Sequence, residues 1–175
     1  MTTITISGTP GSGKSTVATL LKEDLNIPYI YSGLIFRNLA EKHHMSLSEF
    51  GKYCERHEDV DREIDDKQVE ILKKGNVILE GRLAGWLAYK YTIEACKIMI
   101  DAPVLIRAER IVKREQGQIE DRKKEMIQRE KSEEKRYKKY YNIDLKDTSI
   151  YDLCIDSSDK TAEEIVKLIH THLNQ

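Results

Sequence analysis

Gly8-Thr9-Pro10-Gly11-Ser12-Gly13-Lys14-Ser15 decides the fold of this 175-residue chain. The stretch matches the pattern G-x-x-x-x-G-K-[ST] at every fixed position. Residues 3–7 before it alternate and are β-branched, which predicts a strand, and apolar residues recur at helical spacing from Val17 onward. A strand, a glycine loop and a helix in this order are the context in which the pattern predicts a phosphate-binding loop, or P-loop.

The glycines of the loop keep side chains away from a bound phosphate. Consecutive backbone N–H groups can then wrap the anion, and the helix after Gly13 presents its positive end to it. Lys14 is placed to reach the β- and γ-phosphates, and the Ser15 hydroxyl is placed to ligate Mg²⁺. The loop therefore predicts a site for ATP and Mg²⁺.

Short strands and helices alternate along the rest of the chain. Further strands are predicted at 27–31, 77–80, 97–101 and 150–155. Helices are predicted to begin at Ser32 and at Pro103, and a surface helix is predicted over 59–74. Two more helices are predicted to begin at capping boxes, one formed by Ser46 with Glu49 and the other by Thr161 with Glu164. We therefore expect one α/β domain over 1–175 with the three-layer P-loop NTPase fold, in which helices cover both faces of a five-stranded parallel sheet.

Composition and charge exclude several classes of protein. About 39% of the residues are hydrophobic and 34% are charged, but the formal net charge is only −1, so no overall basic field would draw the chain to nucleic acid or anionic lipid. No stretch approaches a membrane span, and the first residues lack the pattern of a secretion signal. The widely spaced Cys54, Cys96 and Cys154 predict reduced thiols, with Cys96 and Cys154 near the core. We expect a cytoplasmic monomer with small-molecule partners.

A magnesium ion beside the loop needs a carboxylate at the end of a neighbouring strand. Glu80 and Asp101 both meet this requirement. Glu80 is followed by Gly81-Arg82, so an acid and a cation would face one crevice, and we favour Glu80 together with Ser15 as metal ligands. Asp101 leads directly into a helix, where an N-cap or a brace for the loop is at least an equal alternative.

Arginine recurs at separated positions, and the N-K-x-D sequence of guanine-specific switches is absent. A monophosphate acceptor beside ATP brings several negative groups together, and fixed cations must offset their repulsion. Arginine suits this task because its fork grips a phosphate at two oxygens. The candidates are Arg37, Arg82, Arg107, Arg110, Arg114, Arg122, Arg129 and Arg136. For Arg107 and Arg122 a solvated face, paired with a nearby glutamate such as Glu109 or Glu115, is the stronger interpretation.

The segment 107–141 is dense in Arg, Lys and Glu, so we expect it to project into solvent. It is either a mobile lid over the nucleotides or a solvated helical arm, whose arginines would pair with Glu109, Glu115, Glu130 and Glu133. Arg110 and Arg114 lie four residues apart and share a helical face. Either one could face the nucleotide or only solvent.

These motifs resemble the cytidylate kinases, especially the short form typical of archaea, over nearly the whole chain. The resemblance is carried by the loop Gly8 to Thr16, Tyr31-Ser32-Gly33-Leu34-Ile35-Phe36-Arg37, Glu80-Gly81-Arg82, Gln128-Arg129-Glu130 with Glu133, Arg136-Tyr137, and Tyr151-Asp152. It implies transfer of the γ-phosphoryl group of ATP to CMP, with dCMP or UMP as further candidates, in pyrimidine nucleotide metabolism. The bacterial branch differs at Leu83, where it has Asp, and carries an insert that is missing here, so no base-contacting residue is assigned.

The resemblance also implies roles for single residues. ATP would contact Gly8, Thr9, Pro10, Gly11, Ser12, Gly13, Lys14, Ser15, Thr16, Arg110 and Arg114. The acceptor would contact Ser32, Gly33, Arg37, Arg82, Arg129, Glu133 and Arg136. The catalytic residues would be Lys14, Arg82, Arg129 and Arg136. The acceptor-binding helical segment would span about 32–75 and the lid about 107–141.

Two other functions stay open at this point. A related kinase, of adenylate type or acting on another small molecule, would use the same loop, although a hydroxyl acceptor would need a general base that the sequence does not clearly supply. A non-catalytic regulator would bind ATP to order 107–141 for a partner.

Overall fold

The computed structural model describes residues 2–174, so Met1 and Gln175, which the predicted domain includes, lie outside the described residues. The strands are β1 (Ile4–Ser7), β2 (Tyr29–Tyr31), β3 (Ile78–Glu80), β4 (Cys96–Asp101) and β5 (Leu153–Asp156). The helices are α1 (Lys14–Leu25), α2 (Ser32–Lys42), α3 (Leu47–Cys54), α4 (Glu58–Lys74), α5 (Ala84–Lys90), α6 (Val104–Glu115), α7 (Ile119–Tyr141) and α8 (Ala162–Leu173).

The five strands found within residues 2–174 form one parallel sheet in the order β2-β3-β1-β4-β5. Strand β1 lies at its centre, where Ile4 pairs with Ile78 of β3 and with Cys96 of β4. Since parallel strands end at the same edge of a sheet, the loop after β1 lies beside the carboxyl ends of β3 and β4. The expected fold class is confirmed.

Helices cover both faces of this sheet. On one face, α1 and α8 contribute Val17, Leu21 and Ile169 to a cluster with the strand residues Ile4 and Ile98. On the other face, α4 and α5 contribute Leu72 and Leu87 to a cluster with Leu79 of β3. Neighbouring residues of a strand point to opposite faces, which is why Ile78 and Leu79 belong to different clusters.

Helix α4 departs from the sequence expectation. We expected a surface helix, but Val60, Ile64 and Leu72 are buried, and the helix joins the sheet cluster to a second cluster formed with α2 and α3. Three of its polar side chains, Asp61, Asp65 and Gln68, are buried as well. The other charged residues of α4 lie on the exposed face, so the composition of the segment concealed a buried stripe.

The charged segment 107–141 is also less exposed than expected. Residues 113–121, around the turn between α6 and α7, are exposed, as the sequence suggested. Arg107, Met126, Glu133 and Arg136 are instead buried, so projection into solvent is wrong for much of the segment. The expected position of Cys154 near the core is wrong too, because that thiol is exposed.

The two predicted capping boxes are present at the starts of α3 and α8. Ser46 with Glu49 and Thr161 with Glu164 form complete capping boxes, in which each side chain bonds the other residue's backbone N–H. Within residues 2–174, no helix is both long and apolar enough to cross a membrane.

Candidate active site

The loop between β1 and α1 has the backbone that phosphate binding requires. Gly13 caps α1 in the left-handed region at φ 97°, and neither a side-chain cap nor an acidic residue occupies the first turn of the helix. Its N–H groups therefore stay available to an anion. A Cβ on Gly8, whose φ is 151°, would lie 1.9 Å from the carbonyl oxygen of Ile100, so glycine is required where the loop leaves the sheet.

Lys14 folds back over this loop. Its Nζ donates to the carbonyl oxygen of Thr9 at 2.7 Å. Burial lowers the pKa of Lys14 to about 8; the charge of Glu80 opposes the shift, and those of Arg82 and Arg129 add to it. The lysine thus lies among charges from β3, from the turn after it and from α7.

Ser15 and Glu80 form a donor set suited to a hard divalent cation. The Ser15 hydroxyl donates to Glu80 Oε1 at 3.0 Å, and the Tyr29 hydroxyl donates to Glu80 Oε2. Glu80 is only 1% exposed, and no lysine, arginine or histidine nitrogen within residues 2–174 lies at ion-pair distance from it; the more distant charge of Lys14 leaves room for a second positive charge beside the carboxylate. A magnesium ion would supply that charge, and oxygen atoms are the ligands it prefers. The residues present therefore fit the metal.

Asp101 is occupied by the loop itself. Its carboxylate accepts from the Thr9 hydroxyl and, at 2.8 Å, from the backbone N–H of Ala102. Arg107 Nε approaches the same carboxylate at 3.8 Å. These contacts correspond to the bracing alternative, and they leave Glu80 as the better candidate for a metal role.

Three charged side chains, one from the turn after β3 and two from α7, lie together near Lys14. Glu133 Oε1 accepts from Arg129 Nε at 2.9 Å, and Glu133 Oε2 lies 3.3 Å from Arg82 Nε. The Arg82 and Glu133 side chains are 12% and 6% exposed, whereas the Arg129 side chain is 61% exposed. One carboxylate therefore positions two arginines whose remaining donors can grip a phosphate.

The segment at the start of α2 closes this crevice. A Cβ on Gly81 would lie 2.1 Å from Ser32 Oγ, so the backbone before Arg82 touches the beginning of α2. Gly33 lies against the ring of Tyr31. Arg37 is exposed on the same helix, so its guanidinium is open to a ligand.

Arg136 is held away from this group. Its Nη1 donates to Asp61 Oδ1 at 3.1 Å, and both side chains are buried. The contact joins α7 to α4. In the structure the guanidinium is thus committed to a carboxylate, and its role towards a phosphate stays a prediction.

Arg110 and Arg114 separate in the structure. Arg110 donates to Ser157 Oγ at 3.0 Å and lies 3.5 Å from the carbonyl oxygen of Ser12, so it ties the loop after β5 to the P-loop. Arg114 is 68% exposed and pairs with Glu115. Of the two, the structure brings only Arg110 to the P-loop.

Comparison with known proteins bears on this arrangement. Residues 3–159 match the profile of the cytidylate kinase-like family. The chain belongs to that family. It is 48% identical over 172 residues to a cytidylate kinase from Methanocaldococcus jannaschii, which covers 98% of this chain and 97% of the relative. It is 44% identical over 174 residues to a cytidylate kinase from Pyrococcus horikoshii, which covers 98% of this chain and 89% of the relative.

This cytidylate kinase-like chain also resembles solved kinase structures in its fold. A shikimate kinase from Bacteroides thetaiotaomicron superposes with a TM-score of 0.64 at 14% identity, covering 99% of both chains. A shikimate kinase from Aquifex aeolicus gives 0.61 at 23% identity, covering 98% of this chain and 95% of that one. At such identities the likeness concerns the fold alone.

Several polar residues of this cytidylate kinase-like site escaped sequence reasoning. They are Tyr29, Asp61, Asp65, Gln68 and Ser157. Arg107 is buried and donates to the carbonyl oxygens of Pro10 and Ala102 and to Glu130, so the expected solvated face is wrong for this residue, which instead braces the P-loop. One signal was available: Asp61, Asp65 and Gln68 recur at helical spacing, so they share one face of α4 with its buried apolar residues.

Proposed function

We propose that this protein transfers the γ-phosphoryl group of ATP to CMP and releases ADP and CDP. The observation that carries the proposal is the convergence of Lys14, Arg82, Arg129 and Glu133 at one end of the sheet in a chain of the cytidylate kinase-like family. Cations surround the point where a donor phosphate on the P-loop would meet an acceptor phosphate.

The transfer needs no general base. An oxygen of the CMP phosphate, already anionic, forms a bond to the γ-phosphorus as the bond from that phosphorus to the β,γ-bridging oxygen breaks, and ADP leaves with the electron pair. Lys14 and the loop N–H groups would hold the donor, while Arg82 and Arg129 would hold the acceptor. Bound Mg²⁺, held by Ser15 and by Glu80 directly or through water, would neutralise charge on the donor phosphates.

Other parts of the site have supporting roles in this proposal. Arg110 and Arg114 would lie on the ATP side of a lid spanning 107–141, and Arg37, Ser32 and Gly33 would complete the acceptor site within the segment 32–75. The chain would work as a monomeric single domain in the cytoplasm. Exclusion of water by the lid would protect ATP from hydrolysis until both substrates are bound.

A coupled assay for ADP with a panel of acceptors tests the proposal. CMP should give rapid ADP release, dCMP and UMP slower release, and ATP alone almost none. If AMP or a hydroxyl compound such as shikimate gave the fastest ADP release, that compound and not CMP would be the substrate. ADP release that is independent of any acceptor, or no release at all, would favour the regulator.

A further inference from the structure

The side chain of Tyr29 joins the core to the carboxylate of Glu80. Tyr29 is the first residue of β2 and pairs in register with Ile78 of β3, so its side chain lies on the α1 face of the sheet with those of Ile78 and Glu80. Its ring packs against the cluster beneath α1, and its hydroxyl donates to Glu80 Oε2. The ring therefore contributes to the core, whereas the hydroxyl contacts an acid of the candidate donor site.

Each oxygen of Glu80 accepts one hydroxyl. Ser15, in the first turn of α1, donates to Oε1 at 3.0 Å, and Tyr29 donates to Oε2. Two donors on different oxygens fix the rotation of a carboxylate that is only 1% exposed. Because the Ser15 proton points to Glu80, the lone pairs of the Ser15 oxygen stay available to a metal.

Tyr29 keeps the proton that it donates. Burial raises the pKa of the Tyr29 phenol above its ordinary value, and the hydrogen bond to Glu80 and the charge of that residue add to the shift. The phenol is therefore a hydrogen-bond donor at neutral pH, and the carboxylate is its acceptor.

The same carboxylate is held apart from Lys14. The charges of the two residues interact, since Glu80 opposes the lowering of the Lys14 pKa, yet they are not at ion-pair distance from each other. Lys14 Nζ donates instead to the carbonyl oxygen of Thr9 at 2.7 Å. A carboxylate that could turn freely would be attracted to the ammonium, and a close pair would withdraw both charges from a nucleotide and its metal.

We propose that Tyr29 is a positioning residue of the donor site, whose hydroxyl holds Glu80 against Ser15 and away from Lys14 so that the carboxylate can receive the magnesium ion of ATP, directly or through water. This inference rests on the proposed function, which gives Ser15 and Glu80 a bound metal. Removal of a group that orients a metal ligand typically weakens metal binding by about 10- to 100-fold.

The alternative is that Tyr29 is only a core residue of β2. This strand leads directly into α2, which carries Arg37 of the candidate acceptor site. Damage to β2 would therefore raise the KM for CMP as well as weaken the binding of ATP. Loss of one orienting hydrogen bond would instead act on the metal-bound donor. The test must therefore separate the effect on the metal from effects on the nucleotide and the acceptor.

The first experiment measures the affinity of Tyr29→Phe for a non-hydrolysable ATP analogue by calorimetry, once with Mg²⁺ and once with EDTA. Phenylalanine keeps the ring and removes only the hydroxyl. With Mg²⁺ the affinity should fall by at least about tenfold relative to wild type. With EDTA the loss should be much smaller, because only the competition for Lys14 remains. Unchanged affinity, or an equal loss under both conditions, would overturn the inference.

The matched control is Tyr89→Phe, which removes the hydroxyl of a ring that is 57% exposed on α5. It should keep the wild-type affinity under both conditions. In turnover assays, Tyr29→Phe should raise the Mg²⁺ concentration that gives half the maximal rate and leave the KM for CMP unchanged. A raised KM for CMP with an unchanged Mg²⁺ requirement would show damage to β2 and overturn the inference.

A double-mutant cycle asks whether the hydroxyl acts through the carboxylate. Glu80→Ala removes the acceptor, so adding Tyr29→Phe to it should change the affinity for the analogue with Mg²⁺ by less than about twofold. A loss as large as in the wild-type background would contradict the proposed role. The binding measurements need no acceptor: if they succeed but CMP is not phosphorylated, only the proposed function falls. If CMP is phosphorylated but Tyr29→Phe shows no Mg²⁺-dependent loss, only the inference falls.

Discussion

Lys14 shows how a single residue depends on its surroundings. It contacts the backbone of its own loop and lies near charges from β3 and α7, and it is not a member of the apolar clusters. Lys14→Ala should therefore leave the melting temperature nearly unchanged and lower kcat by a factor on the order of 10² to 10³, because a preorganised cation is lost from the transferring phosphoryl group. Thermal unfolding and the ADP assay check the two halves of this prediction.

The matched control for Lys14 is Lys22→Ala, which changes a lysine in the last turn of the same helix, far from the loop. It should behave as wild type in both measurements. Substantial turnover by Lys14→Ala would remove the assigned role of the P-loop.

At the scale of single residues, the sequence located Lys14, Ser15 and Glu80 because each lies at the end of an element that local pattern defines. It could not locate the pair Asp61 and Arg136. Those residues are 75 positions apart, and their contact depends on how α4 and α7 pack across the acceptor site. Carboxylates and arginines are usually exposed, so the composition of the two segments predicted that Asp61 and Arg136 would face solvent.

Helices α4 and α7 also share a carboxylate that should make stability depend on pH. Burial raises the pKa of Asp65 to about 7; the hydrogen bond from Tyr141 and the charge of Arg136 lower it, while Asp61 and Asp66 raise it. Gln68 is its remaining polar partner. The folded pKa lies above the ordinary value of 3.8, so the folded protein holds the extra proton in this range.

The sign of the effect follows from that proton. The free energy of unfolding should fall as pH rises from about 4 to about 7, by at most about 1.4 kcal/mol per pH unit from this group, and then level off. Asp65→Asn should flatten the curve, and Glu70→Gln, which changes an exposed carboxylate on the same helix, should leave it as in wild type. Urea denaturation across this range measures both slopes. A wild-type slope in Asp65→Asn would show that Asp65 is ionised throughout.

The helical pair α6 and α7 is the proposed lid, and its motion is testable directly. Arg107 joins it to the loop through Pro10 and Glu130, so closure over ATP should be transmitted to α7. Hydrogen exchange over 107–141 should slow more with a non-hydrolysable ATP analogue and CMP together than with either alone. Peptides from α8 serve as the internal control. Unchanged exchange with both ligands would leave the solvated arm as the better description.

At the scale of elements, the alternation of strands and helices was predictable because short apolar runs and capping boxes are local signals. The burial of one face of α4 and of Met126, Glu133, Arg136 and Tyr140 in α7 was not. Charged residues dominate both segments, and only the assembled structure shows which face of each helix packs. The five strands were predicted from their short apolar runs, and their parallel direction was predicted because helices alternate with them.

For the whole molecule, the central claim is that the parallel sheet brings a donor site on the P-loop together with an acceptor site built by α2, β3, α4 and α7. A regulator of the same fold would need only the donor half. The presence of Arg82, Glu133 and Arg129 in one connected group therefore distinguishes the two functions, since ATP binding alone gives no reason for a second cluster of cations.

Transfer of label from [γ-³²P]ATP, followed by chromatographic separation of the nucleotides, tests this claim most directly. With CMP present, label should appear in CDP at a rate that depends on CMP concentration and is lost in Lys14→Ala. Little label should appear as inorganic phosphate, because transfer to water is excluded. Label released only as inorganic phosphate, or retained entirely in ATP while CMP is present, would contradict the account.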